Sequence, residues 1–187
     1  MALGLNDVDV DGMKELDRKV RENPALGKRT VKLRSTWQRG AKALVEIGAQ
    51  EILGKAATPP TRRFFVTMDA PAGLGGVDAA PTAAESMLAA LAGCLTSGIA
   101  ANAALFNVPI EALSVEMEAD IDFRGVLGHD KSVRNGFTDI RYTVSIQSPA
   151  SEEQVRRCKE TIDRKSPVRD TLANPVTITS TLVYRPR

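Results

Sequence analysis

Residues 86 to 109, SMLAALAGCLTSGIAANAALFNVP, contain no charged side chain and a single cysteine near the middle. A helix lying on the surface of a water-soluble protein keeps one polar face, so this segment must be covered on most sides. Its length allows two covers, a lipid bilayer or the rest of the chain. The abundance of Ala and Gly, the polar Thr96, Ser97, Asn102 and Asn107, and the lack of flanking arginines or aromatic anchors favour a helix buried among protein elements. Thr82-Ala83-Ala84-Glu85 opens it with a capping-box pattern, and Pro109 ends it. At 187 residues the chain is long enough for one well-buried core.

The remaining segments are expected to supply that cover. Residues 11 to 22, DGMKELDRKVRE, read as a short amphipathic helix stopped by Asn23-Pro24. Strands are expected at 29–37 and 42–48, joined by a turn at QRGA, and again at RFFVTMD, residues 63 to 69. The following APAGLGGVDAAP lacks both the G-K-[ST] ending and the G-x-G-x-x-G spacing of phosphate cradles and reads as a plain loop. From 113 to 123 apolar and polar residues alternate, with Ser114 and four acids on the outer face; Ile140, Tyr142, Val144 and Ile146 alternate in turn. Ser151 and Gln154 cap a second main helix carrying Val155, Cys158 and Ile162 on one face. Ser166 and Pro167 begin a further helical segment, and VTITSTLVY, 176 to 184, reads as a closing strand. The order implies an α+β fold, antiparallel strands packed on two main helices.

Charge excludes some functions. With 25 basic and 23 acidic residues the net charge is +2, which gives no basis for a nucleic-acid partner. The basic run KRTVKLR, 28 to 34, alternates with apolar residues as a solvated strand face does. The N-terminus has no basic stretch leading into an apolar one, so no export signal is expected and a cytoplasmic location follows. In that reducing compartment the two cysteines, Cys94 and Cys158, are expected to be free thiols. His129 is the only histidine and falls in a loop, and no residues stand at metal-ligand spacing, so neither a metal nor a cofactor is expected.

On local grounds Cys94 could be either a small buried hydrophobe or a reactive thiol. A mid-helix position gains little from the helix dipole, and apolar surroundings favour the protonated, inert form. Reactivity would require a cation brought in from elsewhere, and arginine suits that role because it stays charged when partly buried.

The block APTAAESMLAALAGCLTSGIAANAAL, with VTMDAPAGLGGVDAAP before it and SPVRDTLANPVTITSTLVY after it, resembles the OsmC/Ohr family of organic-hydroperoxide-detoxifying proteins. The likeness covers about residues 30 to 187, and the domain boundaries drawn from it are an N-terminal helical extension over 1–28 and an OsmC-like domain over 29–187. It implies an intertwined homodimer, with Cys94 as the peroxidatic thiolate and an arginine from the N-terminal β-region to stabilise it. Arg39 is the best match, with Arg62 and Arg63 behind it. It further implies that Glu85 holds the arginine, although Glu85 is equally the capping partner of Thr82. Nine residues separate Glu85 from Cys94, roughly 13 Å along a helix, so one site using both would draw one of them from a second chain. Where the family has a resolving cysteine in a CPV motif, this chain reads Ser166-Pro167-Val168. Serine cannot form a disulfide. Cys158 lies eight residues earlier, about 12 Å along a helix, beyond the roughly 7 Å between Cα atoms that a disulfide spans.

The resemblance therefore implies a thiol peroxidase reducing organic hydroperoxides and regenerated by an external thiol or dithiol. The alternative it leaves open is a divergent member that binds a hydrophobic small molecule at the dimer interface. A third, a partner-binding domain, has only the acidic strand face at 113–123 to suggest it.

Overall fold

A computed structural model of the chain describes residues 4–186. The chain divides into two compact units, one up to Ala90 and one from Leu91 onward.

In the first unit, α1 (Val10–Glu22) starts where the Asp9 carboxylate accepts the Gly12 amide proton. Its exposed face is laced by side-chain pairs one turn apart, Arg18 with Glu15 and Glu22 and Arg21 with Asp17. Strands β1 (Arg29–Arg39) and β2 (Lys42–Ile52) form an antiparallel hairpin. Gly40, at φ +55°, makes the tight return, and the Trp37 indole N–H donates to its carbonyl at 2.9 Å. The short β3 (Lys55–Ala56) and β4 (Phe64–Met68) both pair antiparallel with β2, which is therefore the central strand. The basic run at 28–34 lies along exposed β1, with Lys32 paired to Glu51.

The glycine-rich loop is organised from within. Asp69, only 5% exposed, accepts the amide protons of Val77 and Ala79, and these hydrogen bonds hold its carboxyl below the ordinary aspartate range. Gly76 is required there, because a Cβ at that position would stand 1.7 Å from the Ala70 carbonyl oxygen. Amides directed onto Asp69 are unavailable to a phosphate, in keeping with the plain-loop reading.

Helix α2 (Ala83–Leu105) occupies the charge-free segment. By length and composition it could cross a membrane. Leu91, Leu95, Ile99 and Ala103, spaced by four, form one stripe of it and are buried in the core of the second unit together with Val108, Cys158 and Ile162. Strands β5 (Ala112–Ile121) and β6 (Phe137–Gln147) form an antiparallel pair in which Leu113 faces Ile146, Val115 faces Val144 and Met117 faces Tyr142, all packed on that core. Helix α4 (Glu152–Lys165) begins with the complete Ser151/Gln154 capping box and contributes Val155, Cys158 and Ile162; α5 (Pro167–Ala173) adds Val168 and Leu172. The acidic face of β5 is partly neutralised by Arg141 of β6, which pairs with Glu118, Asp120 and Asp139.

The mixed α/β composition with antiparallel pairing agrees with the fold class read from the sequence. Two details differ. The strand expected over 113–123 ends at Ile121, and Asp122 caps a short helix, α3 (Phe123–Val126). Residues 176 to 184, expected as a strand, have no regular secondary structure and are exposed. Their alternation is that of a strand, but a strand exists only where a neighbour supplies its hydrogen bonds, and none does so among the described residues.

Candidate active site around Cys94

The position of Cys94 follows from the stripe it borders. Leu91 and Leu95 point into the core, 3% and 0% exposed, whereas Gly93 and Ser97 face outward. Cys94 falls between these faces and is half-buried. A Cβ added at neighbouring Gly93 would meet nothing within 4 Å. Cys94 thus borders the core stripe without belonging to it.

Ser166 meets it. Its Oγ lies 3.1 Å from Cys94 Sγ, and the residue is 1% exposed. Two features of the local sequence place it there. Ser166 is the N-cap of α5, accepting the Arg169 amide proton at 3.1 Å, so its side chain is fixed by the helix start it makes. One turn along the same crossing, Gly98 of α2 lies directly against Ile162 of α4, where a Cβ would fall 2.2 Å from Ile162 Cδ1. The absence of a side chain at Gly98 lets α4 come close enough for Ser166 to reach the sulfur.

Cys158 is a different kind of thiol. It is 1% exposed, packs among Leu95, Ile99 and Ile162, and donates to the Gln154 carbonyl at 3.3 Å. Burial pushes its thiol up, toward the protonated form.

The remaining candidates lie in the first unit. Arg39 ends β1 at the hairpin turn and is exposed. Arg62 is committed to the Gly48 carbonyl and the Phe64 ring, and Arg63 to Glu46. Among the described residues, Arg39 is the one of these three whose guanidinium has no such partner. Glu85 completes the capping box: its Oε2 accepts both the amide and the hydroxyl protons of Thr82, and its own amide donates to Thr82 Oγ1. Those bonds hold its carboxyl below the usual carboxylate range. No ion pair joins Arg39 to Glu85 within the chain among the described residues. His129 is exposed in its loop, and the described residues contain no group of His, Cys, Asp or Glu arranged to hold a metal.

Sequence reasoning assigned Ser166 a place without anticipating its hydrogen bond to Cys94, and it passed over Gly98. A glycine in mid-helix, four residues from the cysteine, costs about 1 kcal/mol against alanine; that cost was the available sign of a close approach.

No curated protein matches the sequence. Among solved structures, an OsmC-like protein from Mycoplasma pneumoniae is 14% identical over 78% of this chain and 89% of its own, with a TM-score of 0.57. An OsmC-like protein of unknown function from Vibrio cholerae is 14% identical over 76% of this chain and 92% of its own, with a TM-score of 0.52. An OsmC-like hydroperoxide resistance protein from Jannaschia sp. is 19% identical over 83% and 92%, with a TM-score of 0.45, a likeness too loose to bear on chemistry here. Residues 75–181, more than half of the sequence, match the family described as OsmC-like protein, and the chain belongs to that family.

Proposed function

We propose that this protein is a thiol-dependent peroxidase that reduces organic hydroperoxides through Cys94 and is regenerated by an external thiol. The observation that carries the reading is the contrast between its two thiols, Cys94 half-buried at the edge of the core and Cys158 enclosed within it. The Cys94 thiolate attacks the distal peroxide oxygen: an S–O bond forms, the O–O bond breaks, the sulfur is oxidised by two electrons, and the departing alkoxide takes a proton from water to leave as the alcohol. Arg39 stabilises the thiolate and the developing alkoxide charge, and Glu85 orients it through the carboxylate oxygen not engaged by Thr82. The apolar residues of α2 suit an alkyl or fatty hydroperoxide.

Ser166 stands beside the sulfur and cannot form a disulfide. The sulfenic acid is therefore attacked by an external small thiol or protein dithiol, with loss of water; a second thiol cleaves the mixed disulfide and restores Cys94. The acting form is a homodimer in the cytosol. Supporting this are the exposed Val31, Leu33 and Trp37 of β1, Phe64 and Phe65 of β4, and the unpaired 176–184 segment with its alternating apolar residues, surface that a second copy would cover. The partner chain then brings Arg39 and Glu85 into one site with Cys94.

The same serine favours a second reading, a divergent family member that binds a hydrophobic small molecule and retains an unreactive Cys94. Stopped-flow assay with cumene hydroperoxide separates the two. The peroxidase reading expects consumption by the wild type and by Cys158→Ser, and none by Cys94→Ser. Absence of consumption by the wild type, with Cys94 unreactive toward thiol probes, would leave the binding reading.

A further inference from the structure

We propose that Ser166 is a positioning residue for Cys94: its hydroxyl donates its proton to Sγ, orienting the sulfur and favouring the attacking anion. This rests on Cys94 being the reactive thiol and adds a role for the residue that stands where a second cysteine would be.

The direction of the hydrogen bond follows from counting. A serine hydroxyl has one proton to give and two lone pairs. One lone pair of Ser166 takes the Arg169 amide proton. At 1% exposure the hydroxyl proton has no access to bulk water, and Cys94 Sγ, 3.1 Å away, is the partner it reaches. If the thiol donated instead, the hydroxyl proton would be buried without an acceptor, and an unmade buried hydrogen bond is expensive. A thiolate is a stronger acceptor than a thiol, so this donor favours the anion.

Charged side chains on the neighbouring helices have bonds of their own that do not involve the sulfur. Helix α2 has none between Ser86 and its end. On α4, Asp163 accepts the Tyr142 hydroxyl proton and pairs with Lys159. On α5, Arg169 donates to the Asp163 carbonyl, and Asp170 accepts the Asn174 amide. Within this unit the Ser166 hydroxyl is the side-chain group directed at the sulfur.

The test is the pH dependence of Cys94 alkylation by iodoacetamide in the full-length protein, with mass spectrometry separating Cys94 from Cys158. Ser166→Gly removes the hydroxyl while leaving a residue that helix N-termini accept. Its alkylation midpoint is expected to move up by about one pH unit, with labelling at neutral pH slowed up to about tenfold. Ser166→Thr, which keeps the hydroxyl, is expected to stay near the wild-type midpoint. Thr171→Gly loosens α5 without touching the pair and should leave the midpoint in place. An unmoved midpoint in folded Ser166→Gly, or an equal shift in Thr171→Gly, overturns the proposal. Cumene hydroperoxide consumption measured in parallel keeps the two readings apart. A shifted midpoint with no consumption by the wild type sinks the peroxidase and leaves the Ser166 pairing standing; consumption with an unmoved midpoint does the reverse.

Discussion

In the second unit Leu95, Ile99 and Ala103 are fully buried, while in the first Val31, Leu33 and Trp37, no less apolar, are more than half exposed. Of the described residues, Val45 is the single buried hydrophobic side chain before Leu91, and every other one lies at or after it. The second unit closes its own core from α2, α4, α5 and one face of a two-stranded sheet. The first presents a well-paired sheet on which Val31, Leu33, Trp37, Phe64 and Phe65 are more than half exposed. One unit thus closes a core, while the sheet of the other leaves large apolar side chains exposed. Since apolar burial is the main favourable term in folding, exposed apolar side chains of this size are surface that a partner would cover. The cover we propose is the second copy.

The largest expected effect tests the closed half. Leu95→Ala should destabilise the protein by about 3–5 kcal/mol in urea unfolding, because it empties a fully enclosed site. The companion substitution Leu33→Ala removes a side chain 64% exposed in the single chain. Its cost should be small at concentrations where the protein is monomeric and grow to about 1–2 kcal/mol where it is dimeric. A cost independent of concentration would show that this face is not covered by a second copy.

A smaller effect is expected at the helix crossing that brings Ser166 to Cys94. Gly98→Ala gains about 1 kcal/mol in helix propensity but drives a methyl into Ile162, whose Cδ1 and Cγ1 lie 2.2 and 2.5 Å from the new atom. Both belong to a side chain 7% exposed, so overpacking of about 1–3 kcal/mol should outweigh the gain. The sign of the change in thermal midpoint decides it. A stabilised variant would mean that α4 moves away easily, and the Cys94–Ser166 contact with it.

The smallest effect belongs to the first unit. The Asp69 carboxyl titrates below its ordinary 3.8 in the folded protein because the Ala79 and Ala70 amides hold its charged form. A lowered folded value contributes stability that is fully present above pH 3.8 and is lost as pH falls through the folded value. Amide exchange in the 70–81 loop should therefore accelerate in acid below that point, and Asp69→Asn should flatten this response.

Much of the fold was legible because it is set locally. Thr82 with Glu85 and Ser151 with Gln154 mark helix starts by their capping boxes, Ser166-Pro167 marks a third, and both long strands of the second unit follow strict alternation. The exception at 176–184 is instructive. Alternation reports what a segment would do beside a partner, and no local signal says whether that partner belongs to the same chain. The site was legible unevenly for a related reason. Cys94 stood out as the one thiol in an uncharged helix, whereas its partner comes from 72 residues away; the resemblance at Ser166-Pro167-Val168 gave that serine a place, but the close Gly98–Ile162 approach beside it had no motif.

The central claim is that a single cysteine carries the chemistry while the other stays enclosed. Free thiols counted after one equivalent of cumene hydroperoxide per chain, without added reductant, test it most directly. The account predicts that one of the two thiols is lost, that the lost one is Cys94 trapped by a sulfenic-acid probe, and that Cys158 still titrates after unfolding. Loss of both thiols as an intramolecular disulfide, or loss of neither, would contradict it.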